Sequence, residues 1–295
     1  MPLFLPLLKT GLLLWIILAP QRKVGLSQPI PSELRIITYN LRSGRGYGSP
    51  DGLTPAERMR RAGETLAPYR PDVLVVQEPG HDATLYNTLV AALGRDYRYR
   101  ILRCPAYTAK KRIGLLVIRT PVLIDSLDVC IRGNAPDADQ LFNHWGRAVL
   151  RMGAASLVVY GFKLAPRDQS DTRERQINRL APYLKQDLAQ GRSVVMAGDL
   201  NHRPFDPEYA RWSQLGLVDA YDSSAQGPGF TKMDELGEHP LRPYRRIDYV
   251  WLSPDLAVRP VAAQTLAEGE FIPALPHRSW SLSDHLPVMV TVRLP

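Results

Sequence analysis

Ser283-Asp284-His285-Leu286-Pro287 precedes the last apolar run of the chain and closes a series of short polar motifs. The earlier members are Thr38-Tyr39-Asn40, Gln77-Glu78, Gly198-Asp199-Leu200-Asn201 and Arg246-Ile247-Asp248-Tyr249. Each belongs to a strand-like stretch of apolar, β-branched residues, so its polar groups fall where a strand leaves the core. Strand ends are rigid platforms, and function sits on the loops they position. Two Asn, one Glu, three Asp and one His brought to one edge suit a divalent cation and a phosphate, not packing.

Working outward, Leu34 to Tyr39 alternates and is rich in Ile, as a strand is. A Gly-rich loop follows from Arg42 to Gly52. Thr54-Pro55-Ala56-Glu57 reads as a capping box with Pro at the first helical position. Its helix continues through Met59, Ala62 and Leu66, and Pro71 stops it. Val73 to Val76 is continuously apolar, as expected of a strand covered on both faces. Asp82 caps a second helix with Leu85, Leu89 and Leu93 on one side and Gly94 at its end. Strands are predicted at Tyr97–Leu102, Ile113–Ile118, Arg147–Met152, Leu157–Phe162, Val194–Ala197, Ile247–Leu252 and Val288–Val292. A long helix opens at Ser170 or Asp171, turns Ile177, Leu180, Leu184 and Leu188 inward, and is expected to kink at Pro182. Strands in direct succession with few helices imply an α/β fold of two packed mixed β-sheets flanked by helices. The polar stretch from Ser223 to Tyr244 reads as a substrate loop.

The chain has 295 residues, and residues 34–294 form one domain without linker, low-complexity tract or repeat. Residues 1–27 read as a signal peptide or membrane anchor. Gly11 to Ala19 is its apolar core, Arg22-Lys23 follows, and Gly25-Leu26-Ser27 offers small residues for cleavage. The run is short against the roughly 20 residues of a bilayer span. A secreted or membrane-anchored, extracytoplasmic protein is expected, and a monomer. Of the formal charge of +8, Lys9, Arg22 and Lys23 lie in the leader, leaving a body of +5. That modest basic excess suits an anionic partner such as nucleic acid or a phospholipid head group. Cys104 and Cys130 would form one disulfide in an exported protein or remain two thiols. Neither has a second Cys or His at zinc-ligand spacing.

The chemistry is clearest at four places. Glu78 ends a buried strand, where a carboxylate is costly unless paired or bound to metal. Magnesium takes hard oxygen donors and only one or two carboxylates. Asp199 and Asn201, two apart, share one side of an extended segment, although an Asx-turn has the same pattern. His285 beside a phosphate stabilises charge or protonates a leaving oxygen. It needs a partner on its other nitrogen, and Asp248 is the candidate. His81, His144, His202, His239 and His277 are given no catalytic role.

Taken together and in this order, the motifs resemble the endonuclease/exonuclease/phosphatase superfamily, over Leu34 to Leu294. This is the fold of pancreatic-type deoxyribonucleases, exonuclease III-like repair enzymes, neutral sphingomyelinases and inositol-polyphosphate phosphatases. The resemblance implies a four-layer α/β sandwich with the site at one edge of the two sheets. It implies Glu78 as the principal metal ligand, with Asp284 as an acidic neighbour near the metal. Asn40 would sit beside metal and phosphate, Asp199 would position the attacking water, and Asn201 would hold the phosphate. Asp248 and His285 resemble the family's Asp–His pair. Arg147 is similar in position to a basic group near the phosphate. Two departures stand out. Lys163 occupies the place where many members have His, and it carries charge without switching protonation near neutral pH. Arg42 stands where exonuclease III-like enzymes have an acid, which argues against abasic-site repair.

The expected activity is a magnesium-dependent phosphoester hydrolase, with manganese or calcium as alternative ions. A phosphodiesterase or nuclease cleaving by in-line water attack leads. The alternatives are a phospholipid or sphingolipid phosphodiesterase, and a non-catalytic phosphate-binding module. Tyr244-Arg245-Arg246 would meet phosphates and bases, whereas Tyr97-Arg98-Tyr99-Arg100 reads as ordinary strand alternation. Phe271-Ile272-Pro273-Ala274-Leu275-Pro276 is the one modest candidate for bilayer insertion.

Overall fold

The computed structural model describes residues 33–48, 52–105, 113–130, 144–166, 168–221, 225–226, 229–233, 243–259, 261–274 and 279–294. The leader, parts of the 223–244 stretch, His239, His277, Leu275 and Pro276 lie outside them. The first half of the chain contains β1 (Glu33–Asn40), β2 (Tyr47–Gly48), α1 (Pro55–Leu66), β3 (Val73–Gln77), α2 (Ala83–Leu93), β4 (Tyr97–Leu102), β5 (Gly114–Arg119) and β6 (Leu123–Asp128). Next come β7 (Trp145–Met152), β8 (Ala155–Lys163), α3 (Ser170–Ala189), β9 (Val194–Asp199), α4 (Pro207–Gln214), β10 (Val218–Asp219) and β11 (Ala225–Gln226). The last elements are β12 (Lys232–Met233), β13 (Pro243–Arg245), β14 (Asp248–Leu252), α5 (Pro254–Ala257), β15 (Val261–Thr265), β16 (Trp280–Ser281) and β17 (Val288–Arg293).

The helix starts follow local chemistry. The Thr54 hydroxyl accepts from the Glu57 amide at 3.2 Å, with Pro55 in the first turn. The Asp82 carboxylate accepts from the Thr84 amide at 2.9 Å and opens α2. α3 runs from Ser170 to Ala189 as one helix with Pro182 inside it.

One sheet has the order β11-β15-β17-β1-β3-β5-β4 and the other β10-β14-β9-β8-β7-β6. Each is mixed, and each has a parallel pair near its middle, β1 with β3 and β8 with β9. A helix links each pair, α1 in the first and α3 in the second. Side chains alternate across a strand, and three buried clusters show where they go. Leu34, Ile36, Val73 and Val75 of the first sheet meet Leu157, Val159, Val195, Ala197, Val250 and Leu252 of the second. Ile37, Tyr39, Leu74 and Val76 point the other way, onto Met59, Ala62, Leu66 and Leu89 of α1 and α2. Val158, Tyr160, Phe162, Met196 and Trp251 pack on Ile177, Leu180, Leu184 and Trp212 of α3 and α4. Four layers result, helix–sheet–sheet–helix, as the resemblance implied.

Cys104 and Cys130 form a disulfide across 26 residues of chain. Among the described strands of five or more residues, two went unread in the sequence. β6, with Asp125, Ser126 and Asp128, is a half-exposed edge strand whose register shifts between Ile124 and Ser126. β15 carries Ala262-Ala263-Gln264 and is held by its pairing with β17. Among the described residues, no helix is long and apolar enough to cross a membrane.

Candidate active site

The carboxyl ends of the two parallel pairs lie at the same edge, where open α/β sheets bind ligands. Alternation decides what they present. In β1, β8 and β9 the inward series runs Leu34-Ile36-Thr38-Asn40, Leu157-Val159-Gly161-Lys163 and Val195-Ala197-Asp199. β14 starts beside them, with Asp248 paired in register to Asp199, which is in turn paired to Lys163. Lys163, Asp199 and Asp248 therefore form a row on one sheet, and Asn40 faces them from the other.

The contacts are close. Asn40 Nδ2 donates to Asp199 Oδ2 at 2.9 Å. The Arg42 amide donates to Asn40 Oδ1 at 3.0 Å, which orients the Asn40 amide group. Lys163 Nζ donates to the same Asp199 Oδ2 and to Glu78 Oε1, both at 2.7 Å. Asp199 Oδ1 accepts from the Asn201 amide at 3.2 Å, and Asn201 Nδ2 donates to the Leu164 carbonyl at 3.0 Å. Glu78 and Asn201 both have left-handed backbone, φ +49° and +55°. Strain of this kind, about 1–3 kcal/mol per residue, concentrates at functional sites. Here it breaks the strand alternation and turns Glu78 toward Lys163.

His285 stands opposite. Its Nδ1 lies 2.9 Å from Asp248 Oδ2, and its Nε2 lies 3.9 Å from both Asp199 Oδ2 and Asp284 Oδ1, beyond hydrogen-bond range. Ser283 ties this loop to β1, donating its hydroxyl to the Asn40 carbonyl at 2.7 Å and accepting from the His285 amide at 3.2 Å. Thr231 holds the other partner, its hydroxyl accepting from the Ile247 and Asp248 amides at 3.1 Å each. Asp284 pairs with Lys232 and lies 3.5 Å from Arg42 Nε. Ser283, Thr231 and Lys232 were not singled out in the sequence. Ser283 was visible only as the first letter of its motif, and Thr231 and Lys232 stand in a stretch with no strand periodicity.

The electrostatics follow from burial and neighbours. Burial pulls Lys163 down, but Asp199 and then Glu78 overcome it, so its ammonium sits above the ordinary lysine range. Burial disfavours the Asp199 carboxylate, yet Lys163 and His285 hold it below the usual carboxylate range. Burial opposes charge on His285, Asp248 restores it, Lys232 opposes and Asp199 adds, leaving the imidazole raised. Asp248 is itself pushed up by burial. The pair shares one proton, and it belongs on His285 because a second carboxylate, Asp199, also faces the ring. Burial works against Asp284, and His285 and Lys232 hold it ionised.

The chain matches the endonuclease/exonuclease/phosphatase family over residues 37–285. It belongs to that family. Solved structures share the fold. A truncated TDP2 from Caenorhabditis elegans is 17% identical, with a TM-score of 0.64 over 88% of this chain and 98% of that one. A mannosyl-6-phosphatase from Bacteroides thetaiotaomicron is 16% identical, with a TM-score of 0.67 over 88% and 99%. D. rerio TDP2 complexed with single strand DNA product is 19% identical, with a TM-score of 0.60 over 89% and 99%. No curated protein matches the chain in sequence. Such distant likenesses carry the fold, and membership carries the general activity, a phosphoester hydrolase.

Within this family member, seven of the residues singled out in sequence come together with Lys163: Asn40, Glu78, Asp199, Asn201, Asp248, Asp284 and His285. Arg147 does not. It lies opposite Tyr160 in β7 and shares its outward face, under α3. Its guanidinium donates to Asp187 at 2.7 and 2.5 Å, and Tyr160 donates to the same carboxylate. The odd positions of β7 face away from the first sheet and toward α3, so a basic side chain there cannot reach the phosphate site. Arg246 is likewise spent inside, 2.8 Å from Asp219 and against the rings of Tyr209, Tyr221 and Tyr249. Phe271 is fully buried, edge-on to Tyr39 at 5.7 Å, which removes it from any bilayer-inserting loop. His202 accepts from Trp212 Nε1 at 2.9 Å and stacks on Tyr249, and burial lowers its pKa to about 4. It is a neutral packing residue.

The family is generally dependent on a divalent metal, and the donors here fit one. Glu78 supplies a hard carboxylate at the strand edge, and a carboxylate has lone pairs for a metal in addition to its bond from Lys163. Asp284 fits less well, because its charge already balances Lys232 and Arg42. Asp199, Asp248 and His285 lie within 4.8 Å of one another, but Asp199 is bonded to Lys163 and Asn40 and Asp248 to His285, which makes them a relay of two facing hydrogen-bonded clamps.

Proposed function

We propose that this chain is a metal-dependent phosphodiesterase acting on nucleic acid by in-line attack of water. The observation that carries the reading is the opposition of two clamped groups. An ionised Asp199 held by Asn40 and Lys163 faces a protonated His285 held by Asp248, with 3.9 Å between them. Magnesium is the ion we expect at Glu78, where it would neutralise a phosphate oxygen and polarise the phosphorus. Asp199 accepts a hydrogen bond from the attacking water and aligns it. Asn40 and Asn201 flank that carboxylate and set its direction. The His285 Nε2–H donates to the phosphate as charge accumulates on it, the preorganised stabilisation that supplies much of an enzyme's rate. Lys163 adds a fixed positive charge and does not serve as an acid at neutral pH.

An extracytoplasmic setting is part of the proposal. The leader composition supports it, and so does the Cys104–Cys130 disulfide, since such bonds persist in oxidising compartments. Burial of Phe271 weighs against a lipid substrate. The test is nicking of supercoiled plasmid with magnesium, with chelator, and with His285→Ala protein. Nicking that needs both ion and His285 supports the reading. Hydrolysis of sphingomyelin in place of DNA would overturn the substrate, and no hydrolysis of any phosphoester would leave a binding module.

A further inference from the structure

A cavity of about 200 Å³ opens beside the relay, lined by Asn201, Lys232, Arg203, Arg245, Pro166 and Ile247, with Asp206 at its side. It touches the centre at two points. The Asn201 amide bonds to Asp199, and Lys232 bonds to Asp284. Drug-sized ligand pockets run to about 300–1,000 Å³, so this one takes a single unit of a larger molecule.

Its two arginines each lie against an aromatic ring. The Arg203 guanidinium is 4.2 Å from the Phe205 ring centroid, and that of Arg245 is 4.8 Å from Tyr244. Phe205 is 75% exposed and Tyr244 40%. Tyr244 is also within electrostatic reach of Arg203, so the two pairs are neighbours. The Arg203-Pro204-Phe205-Asp206 turn is held from within. Asp206 accepts from the Arg203 amide at 2.7 Å and from its guanidinium at 3.0 Å. An apolar ring so exposed, on a fixed turn three residues past His202, takes no part in the core.

We propose that this cavity is the subsite for the nucleotide flanking the scissile phosphate, and that the enzyme takes an unpaired strand. The inference rests on the phosphodiesterase reading and names its substrate. The lining holds Arg203, Lys232 and Arg245 against Asp206, with Asp284 bonded to Lys232, and this positive balance favours a phosphate over a quaternary ammonium head group. Flat rings backed by guanidinium planes are stacking platforms for bases, and a base reaches such a platform only when it is not stacked in a duplex. DNA and RNA share this chemistry.

The test measures fluorescence anisotropy with the full chain in chelator, where no turnover occurs. The probes are labelled single-stranded DNA and RNA octanucleotides, a duplex of the same length, and sphingomyelin–phosphatidylcholine vesicles. Wild type should bind the single strands more tightly than the duplex and leave the vesicles unbound, and the two octanucleotide arms tell DNA from RNA. Phe205→Ala should raise the single-strand Kd about tenfold, within the range of one lost base–aromatic stack. Arg245→Gln should weaken it too and flatten its dependence on salt. Val258→Ser, at an exposed position after α5, should match wild type. Unchanged single-strand affinity in both Phe205→Ala and Arg245→Gln overturns the subsite, as does equal affinity for duplex or binding to vesicles. Catalysis is read separately: a wild type that binds strands without hydrolysing any phosphodiester would sink the proposed function and leave the subsite standing.

Discussion

Lys163 stands where many members of the family have His, inside the hydrogen-bonded centre itself. Its ammonium joins Glu78 to Asp199, so a divalent cation held at Glu78, as proposed, would share that carboxylate with a tethered positive charge. Lys163→Met would leave two buried carboxylates without their cation. Breaking a buried pair from one side destabilises by about 3–5 kcal/mol, and we predict a lower Tm to match. Manganese should recover more Tm in this variant than in wild type, because the ion supplies the missing charge. An equal metal-induced shift in both proteins would contradict the assignment. Asp248→Asn tests the other clamp. Burial opposes charge on His285 and Asp248 outweighs it, so in the proposed mechanism the imidazole is protonated, and the enzyme active, below its folded pKa. The rate should fade as pH rises through that value. Removing the carboxylate lowers the pKa, so the falling limb of the pH–rate profile should move to lower pH, with the rate at neutral pH down about a hundredfold or more. The stability from this pairing has the same sign. It is fully present below the unfolded value of about 6.5 and is lost as pH rises through the folded one.

The elements hold these side chains by close approach. Gly198 precedes Asp199 in β9, and a Cβ there would lie 2.0 Å from the Phe162 carbonyl oxygen on β8. Backbone cannot move aside as a flexible side chain can. Gly198→Ala should therefore destabilise by about 4 kcal/mol or more, in the range of the most damaging single substitutions, and urea denaturation would show it. The start of α1 is a milder case. Thr54→Ala removes one cap bond and should lower stability by about 1 kcal/mol. Both α1 and α2 were legible in sequence because their caps are local chemistry within four residues. β6 and β15 were not, since an edge strand with Asp and Ser, and a strand of Ala and Gln, form through their neighbours and lack a strong pattern of their own.

At the scale of the whole molecule, the two sheets meet so that both parallel pairs end at one edge. The Cys104–Cys130 bond links the end of β4 to the segment after β6, which belong to different sheets. Closing a loop of this length restricts the unfolded chain by about 3 kcal/mol. Replacing both cysteines by serine should lower Tm accordingly while the relay, on other strands, keeps its geometry. Calorimetry of the double variant checks the first, and hydrolysis below its Tm the second.

The sequence by itself determined which residue types stand at strand ends, and so the family, the four layers and most of the centre. Apolar runs that break into Asn, Glu, Asp and His are readable because alternation and burial are local constraints. The tertiary structure decided which face each residue takes. The resemblance placed Arg147 near the phosphate, but its odd position in β7 turns it to Asp187 on α3. Arg246 and Phe271 turned inward for the same reason, a core that needed them. Thr231, Ser283 and Lys232 became part of the centre only through contacts with residues far away in the chain. Such contacts depend on how two sheets pack, and no local pattern of residues records that.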